Sequence, residues 1–212
     1  MDSAPAREAT GGAPRLPRTV FLLGWVSLLT DVASEMVYPV LPLFLVGSLG
    51  VPARLLGLME GASEAIVSIA KALSGSHSDR VRRRVPHVRL GYGLSAAAKP
   101  FLALAQGAPL VLASRWADRL GKGLRSAPRD ALIADVTSAA QRGRAFGFHR
   151  AMDHAGAAIG PLLAALFLWL RPGDLRSLFS LSLLPGLGLL ALLWFGLPKS
   201  APAISHFEPE PL

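Results

Sequence analysis

Long apolar stretches alternate with short polar breaks along most of the chain. The stretches Thr19–Val46, Leu55–Gly75, Val88–Gln106, Phe146–Leu170 and Leu178–Leu197 each approach or exceed the roughly 20 residues that a bilayer-crossing helix needs. The first is longer than the rest, and at about 1.5 Å per residue it crosses with some tilt. A rival reading of it is a cleaved signal peptide. Basic Arg15 and Arg18, the apolar run Phe21 to Leu29 and the small residues around Ala33 and Ser34 would supply its parts. Apolar sequence resumes directly after Glu35, which argues against cleavage. Residues 1–18, rich in Pro, Gly and Ala, are expected to form a disordered tail. Residues 19–197 are expected to form the helical domain, and residues 198–212 a polar C-terminal tail.

One piece fits the pattern poorly. Pro109 to Asp135 carries Arg115, Asp118, Arg119, Lys122, Arg125, Arg129, Asp130 and Asp135. A hydropathy window rejects it as a span. On a helical wheel all but Asp135 fall within an arc of roughly 140°, opposite Trp116, Ala117, Leu120, Leu124, Ala127 and Ala131. A surface amphipathic helix would look like this. So would a membrane helix whose charged side faces other helices or a watery cavity, and the wheel does not separate the two.

Composition supports a membrane setting. Of the 212 residues 51% are apolar and 17% charged, against about 25% charged in soluble domains, and the mean hydropathy is +0.42. The net charge of +8 would suit a nucleic-acid partner only if it lay on one wet face. Here the arginines sit in clusters between apolar runs, so no nucleic-acid role is expected. With six spans and a cytoplasmic N-terminus, inside segments hold Arg7, Arg15, Arg18, Arg80, Arg82, Arg83, Arg84, Arg142, Arg144 and Lys199. Outside loops hold three, Arg54, Arg171 and Arg176. That asymmetry obeys the positive-inside rule. Five spans would put the loops at 80–84 and 142–144 on opposite sides, so the fourth helix is expected to cross. The chain thus reads as an all-α, multi-pass protein with six transmembrane helices, placed in a bacterial inner membrane.

Several ionisable residues then fall at mid-depth. Asp31 and Glu35, four apart, share one face of the first helix, which Ser27, Tyr38 and Pro42 continue. Glu60, Glu64, Lys71 and Ser74 share a stripe on the second. Lys99 lies midway along the third, and His149, Asp153, Gly156 and Gly160 line up on the fifth. An ionised side chain at a helix centre costs roughly 2.5–3.5 kcal/mol on insertion scales, so these groups must meet partners or water. A buried structural ion-pair lattice would satisfy that need. So would proton carriage, because a desolvated carboxylate holds a proton that a nearby guanidinium releases, while arginine stays charged.

No enzyme constellation stands out: the sequence has no phosphate-binding Gly loop, no HExxH and no GxSxG. The five histidines lack metal-ligand spacing, and with no Cys thiolate sites are excluded. Neither a metal nor a cofactor is expected.

Four motifs resemble the amino-terminal half of a major facilitator superfamily transporter, in the expected order. GSHSDRVRRR, Gly75 to Arg84, resembles the cytoplasmic GxLaDRxGRR loop. It keeps Gly75, Asp79, Arg80, Arg83 and Arg84, and departs at His77 and at Arg82, where the family usually has Gly. RLGKGLRSA resembles the fourth-helix RxxqGxgaa pattern, placing the family's buried arginine at Arg119 and its glycine at Gly123. Lys122 and Arg125 depart from it. GAAIGPLLAA, Gly156 to Ala165, resembles the antiporter-type gxxxGPxxgg pattern, with Gly156, Gly160 and Pro161 in place. Asp31 followed by YPVLP resembles first helices of drug–proton antiporters.

The resemblance implies half of a twelve-helix fold and supports the fourth helix as a span. It implies proton-coupled efflux of a small solute, with Asp31, Glu35, Glu64, Lys99, Arg119 and Asp153 in a proton-coupling or substrate cavity. Gly75, Asp79, Arg80, Arg83, Arg84, Asp130 and Asp135 would form a gating loop, in which Asp79 and Arg83 exchange ion-pair partners with Asp130 or Asp135. Gly123, Gly156, Gly160 and Pro161 would pack helices closely. The implied partners are the lipid bilayer, protons, a small-molecule substrate and a second six-helix half, from another chain or a homodimer. An uptake symporter half and a truncated, non-transporting binding or regulatory membrane protein are the alternatives.

Overall fold

The computed structural model describes residues 15–198, so most of the two expected tails lies outside the described residues. Leu16, at the inner edge of the first tail, is already buried in the core. Among the described residues there are no strands, and the helices form six rods.

The first rod is α1 (Arg18–Glu35), which continues through a 3₁₀ turn at Tyr38–Val40, the short α2 (Leu41–Leu43) and a π turn at Phe44–Ser48. Pro39 and Pro42 lack N–H donors and clash with the preceding turn, which is why the regular α ladder fails there. Gly50, at φ +64°, turns the chain into α3 (Arg54–Val81). α4 (Arg84–Ala98) passes into a 3₁₀ segment, Lys99–Leu104, at Pro100. α5 spans Ala108–Asp135 and α6 Arg142–Leu170. The last rod consists of α7 (Leu175–Leu181), α8 (Leu183–Ala191) and a π turn at Leu192–Gly196. The Asp174 side chain caps α7 by accepting from the Ser177 N–H at 3.2 Å.

Three of the rods, Arg18–Ser48, Ala139–Leu170 and Leu175–Gly196, are long and apolar enough to cross a membrane by composition alone. The α3, α4 and α5 rods carry too much charge or too little apolarity to pass that test. The expected six spans therefore shrink to three when hydropathy is the only criterion.

α1 packs on α6, α3 and α4 both pack on α5, and α8 closes against α1 and α4. Two apolar cores form at opposite ends of this bundle. One gathers Val20, Leu23, Val88, Tyr92, Leu132 and Leu189. The other gathers Val37, Phe44, Met59, Leu102, Val111 and Phe179, where Phe44 and Phe179 meet edge to face at 5.1 Å. Between them lies a polar layer, which on α1 and α5 falls between the two cores in chain order: Ser27, Thr30, Ser114, Arg115, Asp118 and Arg125, joined by Ser95 and Lys99, all buried.

Candidate functional site

α5 is built inside out. Its charged residues Arg115, Asp118 and Arg125 are 5%, 3% and 6% exposed, whereas Trp116 and Leu120 on the opposite side are 38% and 40% exposed. This arrangement resolves the wheel ambiguity. A surface helix in water would bury Trp116 and solvate Arg115, and this one does the reverse.

Burial obliges each charge to find partners. Lys99 Nζ donates to Asp118 Oδ1 at 2.9 Å and to the Ser95 carbonyl at 2.9 Å. Ser95 Oγ donates to the Asp118 carbonyl and accepts from Arg125 at 2.6 Å, and the Arg125 guanidinium lies 4.4 Å from the Tyr92 ring centroid. Arg115 grips both carboxylate oxygens of Glu60, at 2.8 and 3.0 Å. Its remaining N–H groups have no hydrogen-bond acceptor among the described residues; the guanidinium instead lies 3.8 Å from the Tyr38 ring centroid. Arg119 sits 5.1 Å from the same ring, and approaches Asp118 at 3.9 Å and Glu64 at 4.0 Å.

The close approaches rest on glycines. A Cβ at Gly156 would lie 2.6 Å from the Leu28 carbonyl oxygen and 2.9 Å from Asp31 Cβ. One at Gly160 would lie 2.7 Å from Glu35 Cβ. The small-residue motif of α6 is thus pressed on the acidic face of α1. Gly123 does the same for α5 on α3, against the Val67 carbonyl and Ala70, and Ser74 Oγ donates to the Gly123 carbonyl at 3.1 Å. Gly91 and Gly121 let α4 and α5 cross backbone to backbone.

The residues singled out in the sequence separate into four groups. Lys99 is sealed in the polar layer with Asp118, 1% exposed. Asp153 is held on α6 by the Ser27 hydroxyl, which donates to it, and by His149 at 3.5 Å. Asp31, Glu35, Lys71 and Lys122 are half-buried or exposed on α1, α3 and α5, and have no ion-pair partner among the described residues. Arg125, Lys122, Arg129 and Asp153 lie within electrostatic reach of Asp31. Glu64 touches Arg119 only at the limit of an ion pair. The family resemblance assigns no site role to Asp118, Arg115, Arg125 or Tyr38, which the fold brings into the same layer. A mid-helix lysine demands a carboxylate on a neighbouring helix, and Asp118 was the signal for that demand.

The loop at 75–84 departs from expectation in its pairing. Arg84, rather than Arg83, bridges Asp79 and Asp135, meeting the latter at 3.3 Å, and also donates to Ser78 Oγ at 2.9 Å. Asp130 is occupied by its neighbour Arg129 at 2.9 Å. The reason is register: Arg83 is extended (φ −124°) and precedes α4, while Arg84 opens its first turn. Partial burial would ease the proton off Arg84, but hydrogen bonds and charge from Asp79 and Asp135 outweigh that and hold the guanidinium above its ordinary value. Arg80 and Arg83 side chains are exposed, and Gly75 seats against Ala127 of α5. Arg82, which replaces the usual glycine, caps α3 in the left-handed region at φ 51°.

The sequence profile of the Major Facilitator Superfamily matches residues 23–212. The chain belongs to the major facilitator superfamily. It is similar to an uncharacterized MFS-type transporter of Methanocaldococcus jannaschii, 36% identical over 188 residues, covering 89% of this chain and 47% of that protein. It is also similar to the multidrug resistance protein MdtH of Aeromonas hydrophila, at 33% identity over 74% of this chain and 38% of that one. Among solved structures, a D-xylose-proton symporter matches with a TM-score of 0.66 over 86% of this chain and 48% of the other, at 20% identity. That likeness establishes the fold. The chain spans about half the length or less of the relatives it matches. As a major facilitator protein it is an integral membrane protein of a transporter family and not an enzyme.

Proposed function

We propose that this chain forms the amino-terminal six-span half of a proton-coupled carrier that exports a small solute. The observation that carries the reading is the ionisable set Asp31, Glu35, Lys71 and Lys122, which has no ion-pair partner among the described residues, with Lys122 one turn from Arg119 on α5. A lattice built only to hold helices together would pair these groups, as it pairs Lys99 with Asp118 and Arg115 with Glu60. Left open, they form one wall of a wet path. In this reading a proton binds Asp31 or Glu35 when the path opens to one side, and the fixed positive charge of Arg119 expels it when the path opens to the other. A membrane potential of 100 mV biases each charge moved by about 2.3 kcal/mol.

Efflux is favoured over uptake by the similarity to MdtH, a multidrug resistance protein, and by the Gly156, Gly160 and Pro161 signature. Six spans with the N-terminus in the cytoplasm of a bacterial inner membrane accord with the basic loops at 80–84 and 142–144. The inside-out character of α5 supports a crossing that hydropathy rejects. A second six-helix half, from another chain or a second copy, would supply the facing wall.

The test is proton-driven extrusion of ethidium in everted vesicles containing the chain with its facing half. The expected result is extrusion that collapses with a protonophore and is lost in Asp31→Asn and in Arg119→Ala. Extrusion that keeps its dependence on the proton gradient in both variants would overturn the assigned roles.

A further inference from the structure

A second face of the molecule, built by α4 and α8, carries no charge where it is exposed at depth. Between Leu90 and Leu104, and again between Leu183 and Phe195, every exposed side chain is Leu, Ala, Phe or Trp. A groove of about 670 Å³ runs between the two helices. Leu90, Leu94 and Ala97 line one wall, and Leu187, Leu190 and Trp194 the other. Gly93 opens it: a Cβ there would meet no atom within 4 Å.

Arg89 is the one charged residue among the described lining residues. It lies on the basic-loop end of α4, five residues after Arg84. Its guanidinium donates to the Leu197 carbonyl at 2.7 Å and lies 5.3 Å from the Trp194 ring centroid, while its Nε is buried without a hydrogen-bond partner among the described residues. From Arg89 to Ala97 the groove runs about 12 Å at 1.5 Å per residue, against about 15 Å for half of a 30 Å hydrocarbon core.

We propose that this groove binds an anionic phospholipid of the leaflet on the basic-loop side, one acyl chain lying along Gly93 and the phosphate meeting Arg89. A cation at the edge of hydrocarbon is costly; the Leu197 carbonyl accepts from one Nη of Arg89, and a phosphate oxygen meeting the outward side of the guanidinium adds charge-assisted hydrogen bonds. The apolar walls select a lipid over free phosphate. A second groove of about 480 Å³, bounded by Val32, Phe167 and Leu184, has no charged residue in its lining and so has no means to prefer one headgroup over another. The proposal needs only that the chain sits in a bilayer, and it stands apart from proton coupling.

Trp194 is a native reporter. In the full chain, with Trp25, Trp116 and Trp169 changed to Phe, its fluorescence is read in vesicles containing brominated phosphatidylglycerol or brominated phosphatidylcholine at equal mole fraction. The anionic lipid is expected to bind about fivefold more strongly, from the worth of one basic residue at a membrane surface. Arg89→Gln should bring the two lipids level, and Gly93→Leu, which fills the groove with a good helix former, should weaken quenching by both. Equal quenching in the parent protein would overturn the proposal. So would a preference that survives Arg89→Gln, which assigns it to the Arg80–Arg84 cluster, or quenching unchanged in Gly93→Leu. Protection of Trp194 from both lipids would place a protein partner in the groove and would overturn it equally.

Discussion

Gly160 of α6 sits against Glu35 of α1 so closely that a methyl group added to the glycine would lie 2.7 Å from the glutamate Cβ. Four residues earlier Gly156 stands in the same relation to Asp31. The packing motif and the acidic pair are therefore one construction, since the glycines set how near α6 comes to the helix that bears the carboxylates. Gly156→Ala or Gly160→Ala must push α6 off the Leu28 and Val32 carbonyls, which are backbone atoms and cannot swing aside. Each is expected to destabilise the protein by about 1–3 kcal/mol. Gly147→Ala, on the same helix but facing open space, should instead gain about 0.5–1 kcal/mol of helix stability. Denaturant titration of the detergent-solubilised chain reads all three, and equal effects at Gly147 and Gly160 would refute the close-contact argument.

Lys99 and Asp118 form the most deeply buried ion pair among the described residues. Removing Asp118 strands Lys99, so Asp118→Leu is expected to cost about 3–5 kcal/mol, and Lys99→Met, which leaves Asp118 with Arg119 at 3.9 Å, is expected to cost less. The double variant should recover most of that loss. A double-mutant cycle on unfolding free energy checks it, and additive losses would mean the two groups are not coupled.

Much of this was legible in the sequence, for identifiable reasons. Apolar runs and their polar breaks locate the rods, since helix length against bilayer thickness is a strong constraint. The acid-bearing face of α1 and the glycine stripe of α6 follow from helical spacing, though their contact does not, because spacing within one helix says nothing about its neighbour. α5 was ambiguous for the same reason: charge on one side of a wheel has opposite meanings in water and in a bundle, and only the exposure of Trp116 against the burial of Arg115 decides between them. The choice of Arg84 over Arg83 depended on where α4 starts, a boundary that a run of three arginines leaves undetermined.

Arg82 holds a left-handed conformation, φ 51° and ψ 30°, at the end of α3, where a side chain is disfavoured and glycine is not. Arg82→Gly is expected to stabilise the folded protein by up to about 1 kcal/mol. Arg82→Val, whose branched side chain fits this region worst, should destabilise it. Thermal unfolding monitored by circular dichroism distinguishes them, and a Gly variant less stable than Val would contradict the backbone assignment.

Arg84 joins the end of α3 to the end of α5 through Asp79 and Asp135, with Ser78 tucked beneath it at 0% exposure. The chain has no cysteine, so Ser78→Cys introduces a single thiol under this clasp. Its alkylation by a water-soluble maleimide is expected to be slow, and to quicken several-fold when Arg84→Gln removes both ion pairs. Arg83→Gln, which touches neither carboxylate, should leave the rate unchanged. A rate that responds to Arg83 and ignores Arg84 would return the pairing of Asp79 to the partner that the motif alone suggests.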